Sequence, residues 1–470
     1  MVEETEKSLS RITLIYTAGN IASKLISFFL LFVITFYLSK EAVGEYDLIL
    51  STIALLSPLV GLQLSDAVLR WLLEDSSPLN ASKVYTNVFG LVGINLSIVS
   101  ILYWAIVPWI NIPHSFTIYL LFIVGIPLQI IHNAARAIGL NIAYALSGII
   151  YAMASAVLAL AALALLRMGI EGVLLAASLG TSASIVYLVV KVKPVNYIKR
   201  EYIDKVFARQ LIKYSLPLLP NTLSWWAIST ANRYIIAAVL GVAANGIFAV
   251  SYKIPTILIV LTGIFYLAWQ ERSIKTYNRK ERDIYYSQVL KKYLGLVLSI
   301  VLLLTALNKI VLKYIVAAPF YEAWKYTPIL LVGVVFQALS SFYGIGYLTS
   351  RDTKGAFTTS VYGGLITIVI SFLLIPSYQL FGAATAVMLG YLTMFVGRMI
   401  QTRKYFSIVF PYKFFLYMVL LIAITAAADL IDNNVIHFLT IFMTIVISIL
   451  INKELLTGFL PRIKNHIIHR

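Results

Sequence analysis

Leu38-Ser39-Lys40-Glu41-Ala42-Val43-Gly44-Glu45-Tyr46 opens a stretch that continues through an apolar, helix-length run to Arg70, and the chain contains this stretch twice. The second copy begins Leu240-Gly241-Val242-Ala243-Ala244-Asn245-Gly246-Ile247-Phe248 and runs to Arg272. In each copy a leucine stands six residues before a glycine, an aromatic two after it and an arginine 26 after it. A further echo follows: Gly172 to Gly180 resembles Gly382 to Gly390, at an offset of 210 where the first pair is offset by 202. The chain therefore reads as two related halves followed by a tail. Membrane transporters are commonly built this way and hold substrate between the halves.

Composition fixes the solvent. Of 470 residues, 60 % are hydrophobic and only 12 % charged, about half the charge of an ordinary soluble chain. Mean hydropathy is +0.88. Apolar runs long enough to cross a bilayer recur from end to end. The spans are expected at Ile12–Leu38, Tyr46–Leu73, Val84–Val107, Phe116–Ile138, Ile142–Leu166 and Ile170–Val190 in the first half. In the second half they are expected at Leu216–Leu240, Gly246–Gln270, Val289–Val316, Ala323–Thr349, Gly355–Ile375 and Phe381–Gln401, with Phe410–Leu430 and Val435–Ile451 in the tail. This is an all-α polytopic membrane protein of about fourteen transmembrane helices. It divides into a six-helix lobe (1–190), a basic linker (191–213), a second six-helix lobe (214–404) and two further helices with a basic tail (405–470). Pro108, Pro113, Asn433 and Asn434 are expected in turns.

The net charge of +17 fits membrane topology rather than nucleic acid. With the N-terminus in the cytoplasm, the inner face collects about 29 Lys and Arg. The outer face receives six: Lys40, Arg167, Arg233, Lys309, Lys313 and Lys325. That asymmetry predicts a multi-pass cell-membrane protein with both termini inside. There are no cysteines, which excludes disulfides and thiolate chemistry. The N-terminus has no basic-then-apolar leader, so the first run reads as a retained helix.

Charges inside spans need a reason, because each costs at least about 2.5–3.5 kcal/mol at a helix centre. Lys24 lies about twelve residues into the first span, roughly 18 Å along its axis, with Asn20, Ser23 and Ser27 around it. It reads as part of a cationic, polar cavity lining. Arg233 (beside Asn232) and Lys253 are the second-half candidates. Pro217 and Pro220 should kink the seventh span and Pro255 the eighth. Arg70, Arg272 and Arg136 sit at cytoplasmic span ends, as anchors or as a basic mouth for an anionic head group. Asp66 is spaced for an ion pair with Arg70 and is the best candidate for a coupling acid. Enzyme signatures are missing: there is no phosphate-binding glycine loop, and His114, His132, His437, His466 and His469 lack metal spacing. The one acidic outer loop expected, Glu41 to Asp47, is where a membrane glycosyltransferase would need its essential acid.

Four segments resemble the polysaccharide flippases of the multidrug/oligosaccharidyl-lipid/polysaccharide exporter superfamily. They are the Leu38–Tyr46 stretch; Tyr214-Ser215-Leu216-Pro217-Leu218-Leu219-Pro220 followed by Asn232-Arg233-Tyr234-Ile235-Ile236; Pro319-Phe320-Tyr321-Glu322-Ala323-Trp324 with Pro328; and Ile375-Pro376 leading into Phe381-Gly382-Ala383-Ala384. Where the family carries an acidic residue before the arginine, this chain has Asn232. The resemblance implies two pseudo-symmetric lobes around a central, cationic cavity with two C-terminal helices behind. It implies a monomer that flips a polyprenyl-(pyro)phosphate-linked oligosaccharide by alternating access. Membrane lipids and polysaccharide-assembly enzymes are the partners implied; no nucleic acid and no cofactor are, and the coupling ion, Na+ or H+, is left open. A drug exporter of the same fold and a glycosyltransferase or polymerase are the rival readings.

Overall fold

The computed structural model describes residues 2–350, 354–431 and 433–453, with side-chain surroundings from Gly19 onward except those of Asn20. Among these residues every regular element is helical. In chain order the helices are α1 (Val2–Tyr37), α2 (Lys40–Val60), α3 (Leu64–Glu74), α4 (Pro78–Ile110), α5 (Ser115–Ala137), α6 (Asn141–Ala164) and α7 (Gly169–Val192). Next come α8 (Lys205–Ser215), α9 (Leu219–Ser229), α10 (Asn232–Leu240), α11 (Val242–Ser251) and α12 (Lys253–Thr276). The last are α13 (Arg282–Ile315), α14 (Thr327–Thr349), α15 (Lys354–Gln401), α16 (Tyr412–Ala428) and α17 (Asn434–Ile451). Among the described residues ten helices are long and apolar enough to cross a membrane, and shorter apolar helices accompany them. The surface carries bare large apolar side chains, among them Trp109 at 87 % exposure and Leu165 at 79 %. A water-facing protein avoids that pattern and a lipid-facing one requires it. The fourteen expected spans map onto these helices once broken spans are joined (α2 with α3, α9 with α10, α11 with α12) and α15 is divided at its bend. Two compact units result, Met1–Trp226 and Ala227–Arg470.

Local chemistry starts the helices. Ser39, Ser77, Asp204 and Asn433 are N-caps whose side chains accept backbone N–H groups of the first turn, as expected for these residue types. Ser39 corresponds to Gly241, the residue that starts α11, at an offset of 202. The repeat is thus visible in element boundaries: Lys40 and Val242 begin the two copies, and Glu74 and Thr276 end them.

Each copy was expected to be one span, and each is broken. In the first copy Leu62 and Gln63 are left-handed, at φ 49 and 53. Gly61, Leu62 and Gln63 donate to the carbonyls of Ser57, Leu59 and Pro58. Val60 is left over, and Asn95 of α4 donates to its oxygen at 3.0 Å. Asn133 of α5 reaches the Ser65 carbonyl beyond the break, also at 3.0 Å. In the second copy the break falls at Tyr252. Pro255 has no N–H for the carbonyl of Ser251. The Thr327 hydroxyl lies 3.1 Å from that oxygen and equally 3.1 Å from the Ala323 carbonyl of its own turn. Backbone freed at membrane depth must find a partner inside the protein. Thr327→Val should therefore lower the stability of the second unit by roughly 1–2 kcal/mol, read as an earlier unfolding midpoint in detergent. An unchanged midpoint would remove Thr327 from this role.

Two turn expectations need correction. Pro108 lies inside α4, which continues to Ile110 and ends at a left-handed Asn111. The stretch Glu41 to Asp47 is not a loop: capped by Ser39, it forms the first turns of α2. Pro217 behaves as expected, since residues 216–218 tighten into a 3-10 turn before α9.

The second echo survives as matched hairpins. Between α6 and α7 the chain turns through Arg167 (φ 54) and Gly169 (φ 60). In α15 it folds back at Gln379, φ 49 and ψ −131, 210 residues after Gly169. Gly180 then approaches Ser155 on the neighbouring helix, and Gly390 approaches Thr367 and the Gly363 carbonyl on the other arm, leaving no room for a Cβ at either position. Small residues let membrane helices approach this closely. Gln379 holds a backbone conformation that only glycine adopts without strain. Gln379→Gly should stabilise the second unit by about 1 kcal/mol, measured as a later midpoint; an earlier one would mean that the glutamine side chain contributes more than the backbone costs.

Candidate functional site

In the first unit the candidate is Lys24, on the 36-residue helix α1. It is exposed. One side of α1 packs on α6: a Cβ at Gly19 would meet Ala145, and Gly148 lies beside Ser23. Lys24 follows Ser23 by about 100° around the helix, so it stands off this contact. Ser27, expected to serve Lys24, instead donates to the Ser23 carbonyl at 3.0 Å. The surroundings of the Asn20 side chain lie outside the described residues. Thirteen residues separate Lys24 from Tyr37, the end of α1, which is about 20 Å of helix.

The second unit treats its cations differently. Arg233, in the first turn of α10, is only 8 % exposed. Its Nη1 donates to the Ser229 carbonyl at 2.6 Å. Its guanidinium faces the rings of Tyr252 at 5.2 Å and Phe248 at 6.0 Å. This is an arginine held in an aromatic cradle, where a planar guanidinium can face the rings and donate to a carbonyl at once. Asn232 is fully buried, and its Nδ2 lies 3.4 Å from the Ala383 carbonyl, just past the α15 bend. Its Oδ1 is buried without a hydrogen-bond partner. Lys253 is half-buried at the first residue of α12, on the break itself.

The arginines that close the repeat share a setting. Arg70 lies over Tyr214 at 4.6 Å and Arg272 over Tyr285 at 5.9 Å. Both are exposed, as is Arg136 in the last turn of α5. The expected Asp66–Arg70 ion pair does not form. Arg70 Nε binds Glu74 at 2.9 Å, while Asp66, half-buried in the first turn of α3, accepts from Gln63 at 3.0 Å. An acid in a first turn is already favoured by the helix dipole, and Glu74 stands at the spacing that a helix allows Arg70.

Two groups not singled out as site candidates from the sequence are held in the second unit: Arg398, and Asp429, an acid within an expected span. Arg398 is buried between α14 and the two arms of α15. It donates from Nη1 to the Ser340 carbonyl at 3.0 Å, from Nη2 to Ser360 at 3.1 Å and from Nε to Thr359 at 3.3 Å. Gly344 makes room, since a Cβ there would lie 2.7 Å from the guanidinium. Asp429 is the buried acid among the described residues. His437 Nδ1 lies 3.1 Å from its carboxylate, and Lys309 donates to its carbonyl at 2.7 Å. The signal for Arg398 was available in the run of small and hydroxyl residues, Ser340, Gly344, Thr359 and Ser360. Only the packing shows that they share one point.

A family profile described as polysaccharide biosynthesis protein matches residues 9–269, more than half of the chain. The chain belongs to the polysaccharide biosynthesis protein family. As a member of that family it also shares the fold of solved transporters. The structure of the lipid II flippase MurJ in an inward closed conformation superposes with TM-score 0.67 at 15 % identity, over 95 % of this chain and all of that one. A multidrug resistance MATE family transporter of the MOP superfamily, inward-facing, gives TM-score 0.66 at 12 % identity over 83 % of this chain and 94 % of that one. A MOP superfamily transporter from Pyrococcus furiosus, whose binding pocket is described as having reverse polarity, gives 0.61 at 14 % identity over 85 % and 95 %. At these identities the likeness is one of fold. No curated protein matches the chain by sequence.

Proposed function

We propose that this polysaccharide biosynthesis protein is a flippase. It moves the head group of a polyprenyl-(pyro)phosphate-linked oligosaccharide from the cytoplasmic to the outer leaflet of the cell membrane by alternating access, acting as a monomer. The observation that carries the reading is Lys24, a lysine exposed on the 36-residue helix α1, thirteen residues before its end at Tyr37. Such a charge is expensive in lipid and earns retention by meeting an anion or water. A glycan with a charged phosphate linker cannot cross hydrocarbon unaided. An ammonium group at this depth supplies the counter-charge. Arg233, in its aromatic cradle, is a second cation at a span. The work is transport rather than bond-making and calls for no cofactor; Asp66 is the acid assigned to Na+ or H+ coupling. Membrane lipids and the enzymes that build the glycan are the other partners.

The test is a strain lacking the gene, with lipid-linked glycans extracted and assigned to leaflets. Completed glycan-lipid should accumulate facing the cytoplasm, and the wild-type gene should clear it. Glycan-lipid that stays unextended would point to an assembly enzyme. A shift in drug sensitivity alone, with glycan-lipid distribution unchanged, would favour the exporter reading that the MATE fold also accommodates.

A further inference from the structure

The segment after α7 is both basic and greasy. Residues 191–213 carry Lys191, Lys193, Lys199, Arg200, Lys205, Arg209 and Lys213 against Glu201 and Asp204. The same segment bares Val195, Ile198, Ile203 and Val206, each 43 to 68 % exposed. A water-facing linker has no use for four bare aliphatic residues. One lying in a membrane interface has.

This segment is fastened to α4. Thr86 Oγ1 accepts from the Lys199 N–H at 3.1 Å. Asn87 donates to the Tyr202 carbonyl at 2.9 Å and accepts from the Asp204 N–H at 3.0 Å. Between linker and helix lies a groove of about 540 Å³ with an apolar floor at Phe89, Gly90, Leu91 and Ile94 and a rim carrying Lys199, Arg200 and Lys205. The acid in the rim, Asp204, is committed elsewhere: its side chain caps α8, accepting from Val206 and Phe207. Glu201 pairs with Lys199 at 3.9 Å, so three cations stand against two acids and the rim is net positive by one charge. From the floor, the exposed residues Ile94, Ile98 and Ile101 continue along α4 at helical spacing. A cationic rim leading into an apolar slot, which opens onto a greasy helix face, complements an anionic membrane lipid in charge and polarity.

We infer that this groove is a binding site for an anionic glycerophospholipid of the leaflet on the linker's side, with the phosphate on Lys199, Arg200 and Lys205 and an acyl chain along Gly90, Leu91, Ile94, Ile98 and Ile101. The site lies within the first unit and is independent of what the protein transports. A bound lipid would tie the linker to the bilayer surface through charge and chain burial.

The test uses the purified full-length chain in detergent, titrated with phosphatidylglycerol or phosphatidylcholine and read by native mass spectrometry. Wild type should retain phosphatidylglycerol at least fivefold better than phosphatidylcholine. The triple variant Lys199→Ala, Arg200→Ala, Lys205→Ala should lose that preference. Gly90→Leu keeps every charge and fills the slot. Its new side chain starts in open space, with nothing within 4 Å of the Cβ, and leucine is the better helix former, so this variant folds. It should retain severalfold less of both lipids. Equal retention of the two lipids by wild type, or wild-type phosphatidylglycerol retention by either variant, overturns the proposal.

Discussion

Lys24→Ala protein, made at the wild-type level, should clear cytoplasm-facing glycan-lipid roughly ten- to a hundredfold more slowly than wild type. The range follows from losing one charge-assisted contact, about 1.5–3 kcal/mol, at 1.4 kcal/mol per tenfold. Lys24→Arg, which keeps the charge, should retain most of the rate, and Lys24→Glu, which repels phosphate, should retain none. The ordering matters more than any one value. A scaffold residue would respond to size, making arginine as harmful as alanine, whereas a phosphate contact responds to sign. Measuring leaflet occupancy of the extracted glycan-lipid separates the two, and a Lys24→Ala protein as fast as wild type would remove the lysine from transport. Expression and midpoint in detergent should be unchanged, because Lys24 stands off the α1–α6 contact.

Arg398→Met should have the opposite profile, a large loss of stability whatever the substrate. The substitution keeps an unbranched apolar stem and removes three hydrogen bonds that join α14 to both arms of α15. The Thr359 and Ser360 hydroxyls still donate within their own helix, to Gly355 and Ala356. The Ser340 carbonyl loses this donor, and a void opens beside Gly344. Together these amount to roughly 3 kcal/mol. Arg398→Lys should lose about 2 kcal/mol, because one ammonium cannot meet three acceptors spread across a fork. Unfolding midpoints in detergent decide the matter, and a midpoint equal to wild type in the methionine variant would show that the three bonds give no net stability.

What could be read from the chain was whatever is local. Gly44 with Tyr46 and Gly246 with Phe248 located the repeat, but its helices run from Lys40 to Glu74 and from Val242 to Thr276, beyond the expected spans Tyr46–Leu73 and Gly246–Gln270 at both ends. Pro255 announced a break in the eighth span, because losing an N–H is a property of one residue. Its partner Thr327 was not legible, lying 76 residues from Ser251. Arg398 stayed hidden for the same reason: its acceptors are 38 to 58 residues away on two helices. The Asp66–Arg70 pairing failed because spacing allowed two acids and only geometry chose Glu74. Leu62 and Gln63 gave no warning of their left-handed backbone, since neither favours it; the turn is imposed by what packs around it.

The two copies of the repeat break at different depths, after 21 residues in α2 and after 10 in α11, about 16 Å apart along a helix axis. Each break has its own helpers, Asn95 and Asn133 in one unit and Thr327 in the other. The copies have therefore diverged beyond interchange. Residues 40–74 grafted into positions 242–276 would match in length yet take the Val60 carbonyl away from Asn95, its partner in the first unit. The two copies keep the same span, Lys40 to Glu74 and Val242 to Thr276, while the joint inside each is met by that half's own neighbours.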